Sequence, residues 1–285
     1  MKKLLAILIL CQSMCFAEIF GVDDRLEAFE EMPSVLRQNL RSSVALVPKN
    51  RLSITDNGVS ILSNSLAETL RMCENSRFSN QPLLANCSGS LVGNDTVLTA
   101  AHCLPDDKQE SCDEYYYVFD YEVGGDGKVK TLKKENIFEC QKIIHHDFDT
   151  FFSKTGLDLA LVKLKRAVSD RTPYKVNFSE ISNGDEIFMI GYPLGAPKKV
   201  SHGATVKDSP FKNSFSSDLD TFSVNSGSPI FDRNTGDLIG VLVRGTGANL
   251  RSVGQCNDWS YAEESGFADG NNLLSIKEIL EGIND

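Results

Sequence analysis

Residues 97–104 read Val-Leu-Thr-Ala-Ala-His-Cys-Leu, and this stretch carries more information about the fold than any other in the chain. Its apolar start predicts a β-strand, after which the small residues Ala100 and Ala101 lead to His102. Cys103 follows at once, so a disulfide at that residue would hold the histidine at the end of the strand. We interpret His102 as a general base.

Two downstream segments supply partners of the right chemical type. Asp158 lies in residues 157–164, Leu-Asp-Leu-Ala-Leu-Val-Lys-Leu, and Ser226 lies in residues 225–229, Asn-Ser-Gly-Ser-Pro. A serine hydroxyl is a poor nucleophile near neutral pH, so it needs a base within hydrogen-bond reach and a third group that orients the base. His102, Asp158 and Ser226 provide one residue for each role, which predicts a catalytic triad.

The other three histidines lie in less informative surroundings. His145 and His146 belong to a polar stretch that continues to Asp147, and His202 lies in a strand-like run. We expect these three side chains on the surface or in strands, without a catalytic role. His102 is therefore the candidate base.

The order His, Asp, Ser and the flanking residues resemble the trypsin-like serine proteases, from about residue 43 to residue 244. Residues 87–92, Cys-Ser-Gly-Ser-Leu-Val, followed by residues 97–103, are similar to the family's two strands that a disulfide joins around the base. The resemblance implies a Cys87–Cys103 disulfide and two antiparallel six-stranded β-barrels with the site between them. It also implies a serine endopeptidase that acts through an acyl-enzyme.

The pattern along the rest of the chain is that of an all-β protein. Short apolar runs alternate with turn signals such as Asn57-Gly58. Only residues 60–71 and 272–283 show helical spacing of apolar residues, which predicts a C-terminal helix. We assign residues 43–167 to the first β-barrel, and residues 168–285 to the second β-barrel and the C-terminal helix.

The N-terminal region has the pattern of an exported protein. Residues 1–17 resemble a secretory signal peptide, with a basic start, an apolar core and small residues that end at Ala17. Residues 18–42 are charged and are interpreted as an N-terminal tail or pro-segment. We therefore expect secretion to the extracellular space or the periplasm, and a zymogen held inactive by residues 18–42 is one alternative.

The net charge limits the partners. Removal of Lys2 and Lys3 with the signal peptide changes the formal net charge from −10 to −12. An acidic surface of this kind repels phosphate backbones and anionic lipids, so we expect no nucleic acid and no membrane among the partners. The expected partner is a protein or peptide substrate, bound by a monomer.

Six of the eight cysteines follow the signal peptide, and an even number in an oxidising compartment predicts disulfides. Besides the pair that the resemblance implies, the expected pairs are Cys112 with Cys140 and Cys73 with Cys256. Neither a phosphate-binding loop nor an H-E-x-x-H zinc motif occurs. We expect no metal and no cofactor.

The segment before the nucleophile departs from the family. The resemblance places the oxyanion hole at the backbone N–H groups of Val224 and Ser226, and the family commonly has glycine where this chain has Val224. A β-branched residue at positive φ would cost about 1–2 kcal/mol. A catalytically impaired binding protein with a protease fold is therefore the alternative to an active enzyme.

Four residues are candidates for substrate binding, namely Asp220, Thr221, Val243 and Arg244. Asp220 precedes Ser226 by six residues, where trypsin-type enzymes place the acid that selects Lys or Arg. Thr221 and Ser228 are instead similar to the bacterial glutamyl endopeptidase branch, and Arg244 could then face an acidic side chain. A structural pair between Asp220 and Arg244 is a third interpretation. Basic, acidic and apolar preferences all stay open.

Overall fold

The computed structural model describes residues 18–149, 156–207, 213–245, 250–261 and 267–283. The signal-peptide prediction for residues 1–17 lies outside the described residues. The strands are β1 (Leu26–Glu27), β2 (Ser43–Pro48), β3 (Leu52–Thr55), β4 (Gly58–Ile61), β5 (Cys87–Gly93), β6 (Thr96–Thr99), β7 (Tyr115–Val118), β8 (Ile137–Phe148), β9 (Asp158–Leu164), β10 (Glu186–Gly191), β11 (Lys199–Lys207), β12 (Ser214–Ser217), β13 (Pro229–Asp232), β14 (Leu238–Gly245), β15 (Leu250–Val253), β16 (Cys256–Trp259) and β17 (Ala268–Asn272). The α-helices are α1 (Ser34–Arg37), α2 (Leu66–Leu70), α3 (Gln109–Asp113) and α4 (Lys277–Ile283).

The first barrel is a closed antiparallel ring of six strands in the order β2-β5-β6-β9-β8-β7. Val97 and Leu98 of β6 pair with Val162 and Leu161 of β9, and all four side chains are buried in the core. Apolar side chains of this kind favour strands because they pack well on a pleated surface. The pairing of β6 with β9 brings the segments of His102 and Asp158 together.

The second barrel has six strands in the order β11-β10-β13-β14-β17-β12, and β12 closes the ring by pairing with β11. The short strand β1 adds to the outside of β11. The prediction of two antiparallel six-stranded barrels is therefore confirmed. The C-terminal helix is confirmed as well, and Leu280 of α4 is buried in the same core cluster as residues of the first barrel.

Residues 18–42 pack closely on the barrels. Ile19 is fully buried, and its N–H donates to the carbonyl of Ser260 at 3.0 Å. Arg25 is 1% exposed, with its guanidinium carbon 4.0 Å from the ring centre of Trp259 and 4.6 Å from that of Phe222. The segment predicted to be a tail or pro-segment thus contributes buried side chains to the fold.

The helical spacing in residues 60–71 overstated the helix. Residues up to Ile61 belong to β4, which pairs with β3 in a hairpin, and only Leu66–Leu70 form α2. Gly58, at φ 131°, is the first residue of β4 and pairs with Thr55, so Asp56 and Asn57 form a two-residue turn between the strands. The helix begins later, at Ser65, whose hydroxyl accepts the N–H of Glu68 in a capping box.

The described residues contain three disulfides, and they are the expected pairs: Cys87–Cys103, Cys112–Cys140 and Cys73–Cys256. The Cys112–Cys140 disulfide links α3 to β8, and the Cys73–Cys256 disulfide joins positions 183 residues apart. Disulfides form and persist in oxidising compartments. In the described ranges, no helix has the length and apolarity needed to cross a membrane.

Candidate active site

The first barrel supplies a histidine and an aspartate that contact each other directly. His102 lies in a short 3₁₀ turn, Ala101–Cys103, just after β6, and Asp158 is the first residue of β9. The Nδ1 atom of His102 is 2.6 Å from one carboxylate oxygen of Asp158, and the backbone N–H of His102 donates to the other oxygen at 2.9 Å. Because a carboxylate can only accept, Nδ1 carries the proton, and Nε2 is left as the basic nitrogen.

The backbone of Asp158 is held by a residue of the second barrel. Its side chain is 4% exposed, whereas that of His102 is 34% exposed. The N–H of Asp158 donates to Oδ1 of the fully buried Asn271 at 2.7 Å, and the amide of Asn271 donates to the carbonyl of Gly156 at 3.0 Å. Asn271 lies in β17, within an Asp-Gly-Asn-Asn run. Such a run is typical of a turn, so the sequence pattern did not predict the contact of Asn271 with Asp158.

The turn that carries His102 has a second support. Nε2 of His146, on β8, lies 3.1 Å from the carbonyl of Ala101 and 3.0 Å from that of Leu104. Carbonyl oxygens only accept, so this nitrogen is protonated and donates to both. His146 was predicted to be a surface or strand residue without a catalytic role. It does lie in a strand, and it braces the turn of the candidate base.

The second barrel supplies Ser226 on a tight turn. The carbonyl of Ser226 accepts the N–H of Ser88 at 2.8 Å, and the N–H of Ser228 donates to the carbonyl of Asn225 at 2.9 Å. Gly227 follows at φ 85°, where a side chain would collide with the carbonyl of Ser88. Glycine is therefore required after Ser226, because the turn approaches the strand β5 too closely for any Cβ.

Val224 has the strained conformation that its place in the sequence suggests. Its φ is 76°, which costs a β-branched residue about 1–2 kcal/mol. Its carbonyl accepts the hydroxyl of Ser88 at 3.2 Å. Within the described part of the chain, the N–H groups of Val224 and Ser226 make no hydrogen bond to the protein. Two unpaired N–H groups around a serine can bind a developing oxyanion.

These residues line one cleft of about 320 Å³. Its walls are formed by Asn86, Cys87, His102, Cys103, Tyr115, Thr221, Phe222, Ser223, Val224, Ser226, Leu242, Val243, Arg244 and Gly245. The candidate base, the candidate nucleophile and the strained Val224 therefore open on a single cleft between the barrels. Three of the four candidate substrate-binding residues, Thr221, Val243 and Arg244, also line it.

Asp220 is not among the residues of the cleft. Its side chain is 4% exposed, and its Oδ1 accepts the N–H of Phe20 at 2.7 Å. Burial raises the pKa of this carboxyl to about 7. Arg244 forms its ion pair with Asp269, at 3.5 Å, rather than with Asp220. The role of Asp220 in substrate binding stays a prediction: the cleft is lined by the neighbouring Thr221, whereas the side chain of Asp220 meets the N-terminal segment at Phe20.

One group of residues has the chemistry of metal ligands in the described ranges, namely Cys87, His102 and Cys103. Both sulfurs are joined in the disulfide, so this group leaves only the histidine as a free donor. The geometry is that of a base held beside a cross-link.

The trypsin-like peptidase domain family matches residues 87–241, which is more than half of the 285 residues. The chain belongs to this family. Coagulation factor IX from Cavia porcellus is 32% identical over 125 residues, which are 42% of this chain and 41% of that protein. The chain thus spans about two fifths of the length of this curated relative.

Proposed function

We propose that this protein is an exported serine endopeptidase with the triad Ser226, His102 and Asp158. The observation that carries the proposal is that His102, hydrogen-bonded to Asp158, lines the same cleft as Ser226 and Val224, whose N–H groups have no partner among the described residues. The family match supports a protease of this fold. The three disulfides support an oxidising compartment, in agreement with the signal-peptide pattern.

The proposed reaction follows from these positions. Oγ of Ser226 attacks the peptide carbonyl while Nε2 of His102 takes the hydroxyl proton, and the N–H groups of Val224 and Ser226 bind the oxyanion. His102 then gives the proton to the leaving amine, and the C–N bond breaks to leave an acyl-enzyme. Water attacks the acyl-enzyme with His102 again as base, which releases the acid product and restores Ser226. Asp158 orients His102 throughout.

Labelling with an active-site phosphonofluoridate tests this proposal. We expect one label per molecule on the wild type and on Ser223→Ala, because Ser223 lines the cleft but is not the nucleophile. Ser226→Ala should take no label. Fluoride leaves as Ser226 forms a bond to phosphorus, so the mass increase counts reacted serines directly. Mass spectrometry of the intact protein measures all three.

The strained Val224 favours a second function, a catalytically impaired binding protein. Folded wild type that takes no label, with its three disulfides formed, would support this second function and contradict the first. Residual hydrolysis of a peptide substrate at the same time would point to a contaminating protease, and Ser226→Ala purified in parallel identifies that case.

The cleft favours an acidic over a basic residue before the scissile bond. Arg244 lines the cleft and Asp220 does not, although Asp269 pairs with Arg244 and offsets part of its charge. Cleavage profiling on a peptide library should show more cleavage after Glu or Asp than after Lys or Arg, and Arg244→Ser should reduce that preference. Arg251→Ser, at an exposed pair with Asp258, is the matched control. A preference for Lys or Arg in the wild type would contradict this assignment.

Export, processing and partners complete the proposal. We propose secretion to the extracellular space or the periplasm, a monomeric state and protein or peptide substrates, with no nucleic acid or membrane partner. Mass spectrometry of secreted protein identifies the mature N-terminus. Fully active protein that begins at Glu18 would rule out obligatory removal of residues 18–42.

A further inference from the structure

The peptide bond between Ser223 and Val224 decides whether the oxyanion hole has one donor or two. A trans peptide is planar, so its C=O and N–H point in opposite directions, and no cis peptide occurs among the described residues. The direction of the Ser223 carbonyl therefore sets the direction of the Val224 N–H. The oxyanion-binding role of this peptide rests on the proposed function of the site.

Rotation of this peptide by half a turn would relieve the strain at Val224. A flip of the peptide changes φ of Val224 by about 180° and moves it from 76° into the broad β region, where a β-branched residue is comfortable. The same flip would reverse the direction of the N–H of Val224, so that this N–H and that of Ser226 could not bind the same oxyanion in both conformations. Val224 thus favours the conformation with the incomplete oxyanion hole, and some other group must oppose it.

Leu194 makes the contact that opposes the flip. Its backbone N–H donates to the carbonyl of Ser223 at 2.8 Å, which holds that carbonyl on the side opposite to the N–H of Val224. Leu194 is itself at φ 53° and ψ 19°, an uncommon conformation for a residue other than glycine. This hydrogen bond therefore joins the strained Leu194 to the peptide that precedes the strained Val224.

The loop that carries Leu194 is fastened to the first-barrel side of the cleft. The carbonyl of Gly195 accepts the N–H of Leu84 at 2.8 Å and the hydroxyl of Tyr121 at 3.2 Å. A Cβ on Gly195 would lie 2.6 Å from the carbonyl of Ala85, so only glycine fits there. These contacts leave Leu194 little freedom to follow the Ser223 carbonyl if that carbonyl turns.

The peptide that follows Val224 is held by a hydrogen bond as well. Its carbonyl accepts the hydroxyl of Ser88, and that hydroxyl also accepts the N–H of Tyr192, at 3.3 Å, from the loop of Leu194. The peptide before Val224 is therefore bonded to the loop of Leu194. The peptide after Val224 is bonded to Ser88, which contacts the same loop. Strain that persists because surrounding contacts determine it is characteristic of functional sites.

We propose that the backbone N–H of Leu194 is the positioning group of this oxyanion hole: it holds the Ser223 carbonyl and so keeps the N–H of Val224 turned into the cleft against the strain of the valine. A glycine in place of Val224 would need this support much less, because positive φ costs glycine nothing.

Replacement of Leu194 by its α-hydroxy acid tests the proposal, because the ester keeps the side chain and removes only the N–H. We expect a crystal structure of this variant to show the Ser223–Val224 peptide flipped. We expect kcat to fall by about 10²-fold with KM within threefold of wild type, as for the loss of one oxyanion donor. The same ester at Leu274, whose N–H bonds to Asn272 at an exposed site, is the matched control.

A second variant separates positioning from general damage. Val224→Gly in the Leu194 ester protein should restore the unflipped peptide and most of the lost kcat, since the strain that drives the flip is gone. A Ser223–Val224 peptide that stays unflipped in the single ester variant would overturn the proposal. The crystal structure gives this answer even if wild type takes no phosphonofluoridate, so failure of the proposed function is seen separately.

Discussion

The two halves of the site are built in different ways. In the first barrel, the carboxylate of Asp158 accepts two hydrogen bonds from His102, one from Nδ1 at 2.6 Å and one from the backbone N–H at 2.9 Å. The second barrel presents Ser226 and Val224 on a turn with positive φ at Val224 and Gly227. The candidate base is thus oriented by side-chain chemistry, whereas the backbone groups of the proposed oxyanion hole are oriented by contacts from other segments. Substitutions in the two halves should therefore have effects of different size and kind.

The largest effect is expected in the half that depends on side-chain chemistry. Asp158→Asn keeps the shape of the side chain, but its amide cannot accept the Nδ1 proton of His102 in the same way, so the wrong tautomer of the base is favoured. We expect kcat to fall about 10⁴-fold. Asp95→Asn, at a surface pair with Lys163, should leave kcat within twofold. Steady-state kinetics measures both, and a loss below tenfold at Asp158 would contradict the assigned role.

A smaller effect is expected in the half that depends on the backbone. Ser88→Ala removes the hydroxyl that holds the carbonyl of Val224, and we expect kcat to fall about tenfold with little change in KM. Ser90→Ala is the matched control, because Ser90 lies on the same strand and its buried hydroxyl has no hydrogen-bond partner in the described part of the structure. Equal kcat values for the two variants would show that the hydroxyl of Ser88 does not position the oxyanion hole.

The hydrogen bonds of His146 to the turn of His102 predict a still smaller effect. His146→Ala removes two hydrogen bonds to the turn of His102 but leaves the bond to Asp158 intact. We expect kcat to fall about threefold and the free energy of unfolding to fall by about 1–2 kcal/mol. His145→Ala should change less, because its Nε2 atom has no partner among the described residues. Urea unfolding with kinetics compares them, and a larger loss at His145 would refute the brace.

The smallest effect on activity is expected at Asp220, which acts on stability instead. Its pKa is raised to about 7 by burial, so the folded protein binds a proton that the unfolded chain has lost. Its contribution is therefore favourable below about pH 4 and declines as the pH rises to about 7. Asp220→Asn should raise Tm by roughly 5 °C at pH 8 and leave it unchanged at pH 4.

The matched control for Asp220 is Asp56→Asn, in the exposed turn between β3 and β4, which should leave Tm unchanged at both pH values. Thermal unfolding followed by circular dichroism gives the comparison. A rise in Tm of equal size at pH 4 and pH 8 would mean that titration of Asp220 is not the cause. The same variant should keep its cleavage preference, because Asp220 is not part of the cleft.

Much of this arrangement was predictable from short patterns. Small residues before His102 and the cysteine after it indicate the candidate base, and Asn-Ser-Gly-Ser-Pro indicates the turn of Ser226. The supporting residues were not predictable in this way. Asp158 and Asn271 are 113 positions apart, and Ser88 and Val224 are 136 positions apart. Contacts across such distances depend on how the barrels pack, which no local pattern records.

The amino-acid sequence by itself determined the all-β class and the candidate residues of the proposed triad, because these depend on residue type, period and local spacing. The disulfide pairs were expectations, one of them implied by the family resemblance, and the structure was needed to confirm them. Tertiary structure decided that Asp220 is buried away from the cleft, that Asn271 holds Asp158 and that Leu194 holds the peptide before Val224. These outcomes depend on burial and on the direction of single backbone groups. Such directions are set only when distant segments pack against each other.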